Sequence, residues 1–82
     1  MKDIETINGQ ISNIDRVRSS RNGNPRYRMT ISSGTGDGYK CYVVYTTPDS
    51  SLGYTISNYR SGDAVTAEIG WHYGVLSLAS ID

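Results

Sequence analysis

The chain has 82 residues, of which 37% are hydrophobic, and this length supports one small domain but excludes a second. Eight basic and eight acidic side chains give a net charge of zero, which excludes a histone-like polycation. A single cysteine excludes an intrachain disulfide. No segment resembles a signal peptide or a membrane span, so we expect an intracellular, cytoplasmic protein.

The N-terminal part of the chain predicts a long, bent strand. Four isoleucines between residues 4 and 14 recur at spacings that also fit a helix, but glycine and weak helix formers interrupt them. Ile11 and Ile14 lie three residues apart, which breaks the alternation of a regular strand. We therefore predict a β-bulge near Ser12 and Asn13.

A second strand is predicted to fold back on the first about Asn22-Gly23, because both residues tolerate the positive φ of a tight strand reversal. After this turn Tyr27, Met29 and Ile31 alternate with arginine, threonine and serine. The alternation predicts one face toward the core and one toward solvent.

The register of this hairpin decides where its arginines point. A two-residue loop would place Arg16 and Arg18 on the apolar side, which is costly unless they are paired. A three-residue loop, Asn22-Gly23-Asn24, avoids this cost and opposes Val17 to Met29. The solvent face is then predicted to carry four arginines, Arg16, Arg18, Arg26 and Arg28.

The run YKCYVVYT at residues 39–46 predicts a third strand that is apolar on both faces and therefore central. We place one face in the core, consisting of Tyr39, Cys41, Val43 and Tyr45. Lys40 and Tyr42 then lie beside the arginines of the second strand, although the opposite assignment stays open. On this assignment Cys41 is a small buried hydrophobe rather than a reactive thiol.

The second half of the chain predicts a short crossover and two more strands. Thr47-Pro48-Asp49 favours the start of a short helix or irregular crossover. A turn at Ser61-Gly62-Asp63 leads into a fourth strand, and GWHYG at residues 70–74 reverses the chain into a fifth strand over Val75 to Ile81. The whole chain therefore predicts one all-β domain over residues 1–82, a five-stranded antiparallel, partly open barrel.

This layout resembles the minimal OB-fold single-stranded nucleic-acid-binding proteins, including the small ones that phages encode. The resemblance is carried by GQISNI followed by RVRSSRNGNPRYRMTI, by the tyrosine-rich third strand, and by YRSGDAVTAEI with GVLSLASI. It implies a basic hairpin between the first two strands, stacking aromatics on the second and third, and a last hairpin that folds over the ligand. These positions match Arg16 to Arg28, Tyr27 or Tyr42, and Trp71 to Tyr73.

The charges are distributed unevenly along the chain. Between Arg16 and Lys40 there are six basic residues and one acid, Asp37. Five of the six are arginine, whose guanidinium pairs with phosphates and stacks on bases. A solvated β face is the alternative, but such faces usually separate like charges with glutamate, and this stretch has none.

The predicted nucleic-acid site combines these cations with aromatic side chains. Its members are Arg16, Arg18, Arg21, Arg26, Arg28, Lys40, Tyr42, Trp71, His72 and Tyr73. For Trp71 two interpretations stay open, because it continues the inward parity of the fourth strand and so either closes the barrel end or faces the ligand.

The sequence therefore favours binding of single-stranded DNA, or RNA, with little sequence preference. The alternative is a phage-type module that binds or inhibits a host protein, since Arg and Tyr are also common in protein interfaces. No nucleophile elbow, phosphate loop or metal-ligand spacing occurs, so we expect no enzyme, metal or cofactor. We expect no membrane partner, and the sequence leaves the oligomeric state open, including a homodimer formed through the edge strands of a partly open barrel.

Overall fold

The computed structural model describes residues 2–18, 23, 25–34, 38–47 and 52–82. Its elements in chain order are β1 (Lys2–Val17), β2 (Arg26–Ser33), β3 (Lys40–Tyr45), α1 (Leu52–Ile56), β4 (Ala64–His72) and β5 (Val75–Ile81). The strands close into a barrel in the order β1-β2-β3-β5-β4, in which only the β3–β5 pair is parallel. The predicted five-stranded barrel with a short helix between the third and fourth strands is confirmed. The barrel is closed, where a partly open one was expected, because β3 pairs with β5. In the described part of the chain no helix is long and apolar enough to span a membrane.

β1 is shared between two neighbours. Its first half pairs with β4 and its second half with β2. The register with β2 shifts between Ile11 and Asn13, which confirms the predicted bulge. At Gly9 a Cβ would collide with the backbone carbonyl oxygen of Ser32, so a glycine is required where the bent strand passes this close to β2.

The core lies inside the barrel and takes alternate residues from its strands. Its members are Ile7, Ile11, Met29, Ile31, Val44, Ile56, Val65, Ala67, Ile69 and Leu78. None is more than 5% exposed. Burying a Val, Leu, Ile or Met side chain contributes about 1.5–3 kcal/mol to stability. α1 contributes Ile56 and packs tightly on the chain before β2, because a Cβ on Gly53 would overlap the backbone of Pro25.

The register of the β1–β2 hairpin differs from the prediction. Ile14, and not Val17, opposes Met29, and Arg16 opposes Tyr27. Arg16 therefore lies on the same side of the sheet as Tyr27, and its predicted position on the solvent face is wrong. The prediction assumed that this side would desolvate a guanidinium, but Arg16 is exposed near the end of β1, with its guanidinium carbon 5.6 Å from the Tyr27 ring centroid.

The turn of this hairpin lies largely outside the described residues, as do Asn22 and Asn24. Gly23 is described and has the positive φ, 79°, that the Asn-Gly signal predicts. Arg18 follows the end of β1 and is exposed.

β3 turns the opposite set of side chains to the core from the set that was predicted. Val44 is fully buried, whereas Val43 is 47% exposed and Cys41 is also exposed. Pairing with β2 explains this orientation, because Val44 lies opposite the buried Met29. Tyr42 shares the inner side with Val44 and packs partly against the core, so its predicted outward orientation is wrong.

The inner side of β3 continues to a buried threonine just beyond the strand. Thr46 is 1% exposed, and its hydroxyl accepts a hydrogen bond from the Tyr27 backbone N–H at 3.0 Å. Because its polar group is satisfied, Thr46 can occupy a core position although threonine is mostly found at the surface of proteins.

The β4–β5 hairpin has a two-residue turn. Tyr73 and Gly74 have φ angles of 51° and 77°, and the pair His72 and Val75 closes the hairpin around them. Two successive positive φ angles are the mark of a type I′ turn, so the predicted reversal at GWHYG is confirmed.

Candidate nucleic-acid interface

The solvent side of β1, β2 and β3 consists of cross-strand rows centred on β2. The rows are Asp15, Arg28 and Tyr45; Asn13, Thr30 and Val43; and Ser32 with Cys41. We call this surface the Arg28 face. Its side chains are exposed or half-buried and alternate along β2 with the buried Met29 and Ile31, as the sequence predicted.

Arg28 is held in place by contacts on both sides of its row. Its Nη2 donates to Asp15 Oδ2 at 3.0 Å. The pKa of Arg28 is raised, first by the hydrogen bond to Asp15 and next by a hydrogen bond to Tyr45. The Arg28 guanidinium therefore stays charged, and its side chain is accessible to solvent.

Arg26 lies two residues earlier on the same side of β2. Its Nε donates to the backbone carbonyl oxygen of Thr46 at 3.2 Å, just beyond the end of β3. This contact is with a neutral acceptor, so it orients the guanidinium without compensating its charge.

A cleft of about 150 Å³ separates this end of β2 from the β4–β5 hairpin. It is lined by Arg26, Thr46, Thr47, His72, Tyr73, Val75 and Ser77. One arginine of the predicted basic hairpin therefore lines the same cleft as two aromatic residues of the predicted last hairpin, although about half the chain separates them.

The hairpin tip, residues 71–74, carries three aromatic side chains, of which His72 and Tyr73 line this cleft. Tyr73 is 94% exposed and meets His72 edge to face, with the ring centroids 4.5 Å apart. Trp71 is 50% exposed, so neither of its two predicted roles is excluded. A ring that is almost fully exposed, as that of Tyr73 is, contributes little to the core and is available for stacking.

Two of the predicted site residues lie together but away from the Arg28 face. The Tyr42 hydroxyl is 3.4 Å from Glu5 Oε1, and Lys40 Nζ is 5.8 Å from the Tyr42 ring centroid. Lys40 is exposed beside Tyr42 rather than beside the β2 arginines. Arg21, a further predicted site residue, lies outside the described residues.

Val43 and Tyr45 are two further residues of this surface, and both were predicted to lie in the core. Both lie on the Arg28 face, and Tyr45 is the direct neighbour of Arg28. Their orientation follows from the pairing of β3 with Met29 and Ile31, and the sequence does not specify the register of that pairing.

Cys41 lies at one end of the Arg28 face within a small cluster of hydroxyl groups, and its predicted burial is wrong. Its thiol donates to the Tyr39 hydroxyl at 3.4 Å, and that hydroxyl donates to Ser32 Oγ at 3.1 Å. These groups stabilise the thiolate and lower the pKa of Cys41, with Tyr39 contributing most. The chain's one cysteine is thus an accessible chemical probe of this face.

No protein-family model matches the sequence, and no curated relative matches it. Among solved structures, the chain is similar to Rim1, a mitochondrial single-stranded DNA-binding protein from S. cerevisiae, with a TM-score of 0.64. The similarity covers 98% of this chain and 92% of that chain, at 22% sequence identity. The chain has an OB fold. At this identity the likeness concerns the fold alone, and it confirms the predicted fold class.

Proposed function

We propose that this protein binds single-stranded nucleic acid, with single-stranded DNA as the expected ligand and little preference for sequence. The proposal rests on one observation, which is that Arg26 lines the same cleft as His72 and Tyr73 of the hairpin tip. A single strand presents charged phosphates and flat bases along its whole length, so a surface that binds it needs cations and rings side by side.

Two arginines supply the contacts to phosphate. Arg26 and Arg28 are two residues apart on one side of β2, so their backbones are about 7 Å apart. This spacing lets the two guanidinium groups contact neighbouring phosphates of an extended strand. Guanidinium donors form paired hydrogen bonds to phosphate oxygens, which gives geometry as well as attraction.

Two tyrosines supply the contacts to the bases. Tyr45 lies next to Arg28 on β3, and Tyr73 lies across the cleft from Arg26. Stacking of one base on an aromatic ring contributes about 1–3 kcal/mol and tolerates every base. Binding without sequence preference follows from contacts of this kind.

A protein partner is the second candidate function. Val43 and Val75 are exposed on β3 and β5, and exposed aliphatic side chains beside Arg and Tyr are also suited to a protein interface. Salt separates the two functions, because displacement of counterions makes nucleic-acid binding far more salt-dependent than a protein interface centred on tyrosines.

The test is a titration of the protein with oligo-dT at about 50 mM and about 200 mM salt, followed by the fluorescence of the single tryptophan, Trp71. Replacing Arg26 and Arg28 together by glutamine is expected to weaken binding by more than about ten-fold and to reduce the salt slope by about 1.4, since each phosphate contact contributes about 0.7. Arg60→Gln is the matched control, because Arg60 is exposed in the turn before β4 and its loss changes the net charge in the same direction.

Alkylation of Cys41 provides a second readout that reports position. Bound oligo-dT is expected to slow the reaction of the thiol, because Cys41 lies on the Arg28 face. Oligo-U in place of oligo-dT compares RNA with DNA in the same assay. Salt-independent binding, or an equal loss from Arg60→Gln and from the double variant, would contradict the proposal.

A further inference from the structure

The Arg28 face carries one carboxylate, that of Asp15. Asp15 Oδ2 accepts hydrogen bonds from Arg28 Nη2 at 3.0 Å and from Asn13 Nδ2 at 2.9 Å. The Arg28 and Asp15 side chains are 46% and 41% exposed, so solvent and ligand reach both partners. An ion pair this exposed adds little to stability, so a competing acceptor can displace it at small cost.

We infer that Asp15 limits the affinity of the Arg28 face, because its carboxylate occupies the Arg28 guanidinium until a backbone phosphate displaces it. This inference rests on the proposed function. Carboxylates and phosphates bind the same N–H groups of a guanidinium, so the two acceptors compete for one site. The negative charge of Asp15 also repels the approaching phosphate.

The two arginines of β2 are therefore not equivalent. Arg26 donates to a neutral carbonyl oxygen, which does not compensate its charge. Arg28 is paired with a carboxylate, which does. Binding at Arg26 exchanges water for phosphate, but binding at Arg28 first breaks an ion pair. Of the two single changes to glutamine, Arg26→Gln is accordingly expected to weaken oligo-dT binding more.

Asp15→Asn tests the inference, since it removes the charge and keeps both the size of the side chain and an oxygen that can accept from Asn13. In an oligo-dT titration over a series of salt concentrations, we expect about three- to ten-fold tighter binding at low salt, where the Asp15–Arg28 pair is strongest, and a smaller gain at high salt, where screening weakens that pair. Glu68→Gln is the matched control. Glu68 lies on β4, outside the Arg28 face, and accepts a hydrogen bond from Ser80 Oγ at 2.8 Å, so its neutralisation should change affinity by less than about two-fold.

A variant that combines Asp15→Asn with Arg28→Gln assigns the gain to the guanidinium. Removal of the repulsion between Asp15 and phosphate leaves only a small gain in the combined variant, so it should gain much less over Arg28→Gln than Asp15→Asn gains over the unmodified protein. A gain of equal size without Arg28 would overturn the inference, and so would unchanged or weaker binding by Asp15→Asn. If either result overturned the inference, salt-dependent binding of oligo-dT by the unmodified protein would still support the proposed function. If neither the unmodified protein nor Asp15→Asn bound oligo-dT at the lowest salt, the inference and the proposed function would both be refuted. Thermal melting of each variant verifies that its fold is intact.

Discussion

Tyr73 holds a backbone conformation that tyrosine rarely adopts, and this makes its replacement by asparagine informative. Its φ of 51° is in the left-handed region, which costs an ordinary L residue roughly 1–2 kcal/mol and asparagine much less. The ring is 94% exposed, so its removal sacrifices almost no buried area. The edge contact with His72 contributes at most about 0.5–1 kcal/mol at such an exposed site. Tyr73→Asn, which creates the preferred Asn-Gly pair of a type I′ turn, should therefore stabilise the protein by roughly 0.5–1 kcal/mol.

The same substitution removes a ring that we propose stacks on a base. Loss of one such contact is worth about 1–3 kcal/mol, which corresponds to about 5- to 150-fold weaker binding of oligo-dT. Stability and affinity are thus expected to change in opposite directions. A residue retained for the fold alone would not produce this combination, because its replacement would lower the stability of the fold.

Thermal unfolding followed by circular dichroism should show a rise in Tm of about 2–8 °C for a domain of this size. Fluorescence anisotropy of a labelled oligo-dT measures the loss of affinity without relying on Trp71, which is close to the substitution. Tyr54→Asn is the control, since Tyr54 is exposed on α1 at an ordinary φ, and it should leave binding unchanged and not raise Tm. A lower Tm together with unchanged affinity for Tyr73→Asn would refute the reasoning and make Tyr73 a structural residue.

Three further predictions test the orientation of β3, the packing of α1 and the chemistry of Cys41. Tyr45→Ala should weaken oligo-dT binding with little loss of stability, whereas Tyr42→Ala should cost roughly 2–4 kcal/mol in urea unfolding because its ring packs against the core; the reverse result would mean that β3 is turned over. Gly53→Ala should lower Tm markedly, because the added methyl group overlaps the backbone before β2, and an unchanged Tm would mean that the helix shifts freely. Tyr39→Phe should raise the pKa of Cys41. Below that pKa less thiolate is then present, so alkylation by iodoacetamide should be slower. An unchanged dependence of the alkylation rate on pH would show that Tyr39 does not stabilise the thiolate.

The parts of the fold that depend on local chemistry could be predicted from the sequence. The broken alternation between Ile11 and Ile14 marked the bulge, and Gly23 marked a position with positive φ. The alternation after it placed Met29 and Ile31 inside the barrel. Each of these signals lies within a few residues of the feature that it predicts, so no knowledge of the tertiary structure was needed.

The orientation of β3 could not be predicted in the same way, because Val43 and Val44 are chemically identical. Pairing with Met29 selects Val44 for the core, and the sequence does not specify the register of that pairing. The Asp15–Arg28 pair was missed for a similar reason. It depends on a β1–β2 register in which Ile14 opposes Met29, whereas the predicted register kept arginine off the Tyr27 side of the sheet.

The parallel pairing of β3 with β5, which closes the barrel, links ligand binding to local opening of the barrel. β3 and β5 meet at one registered pair, Tyr45 with Ser77, whereas the antiparallel seams run along several residues. A ring of strands opens first where it is joined by the fewest backbone hydrogen bonds. Nucleic acid bound along the proposed path would extend from Tyr45 to Tyr73 and so cross this seam from outside. Local opening would then require the ligand to leave, and the barrel would become harder to open as the ligand concentration rises.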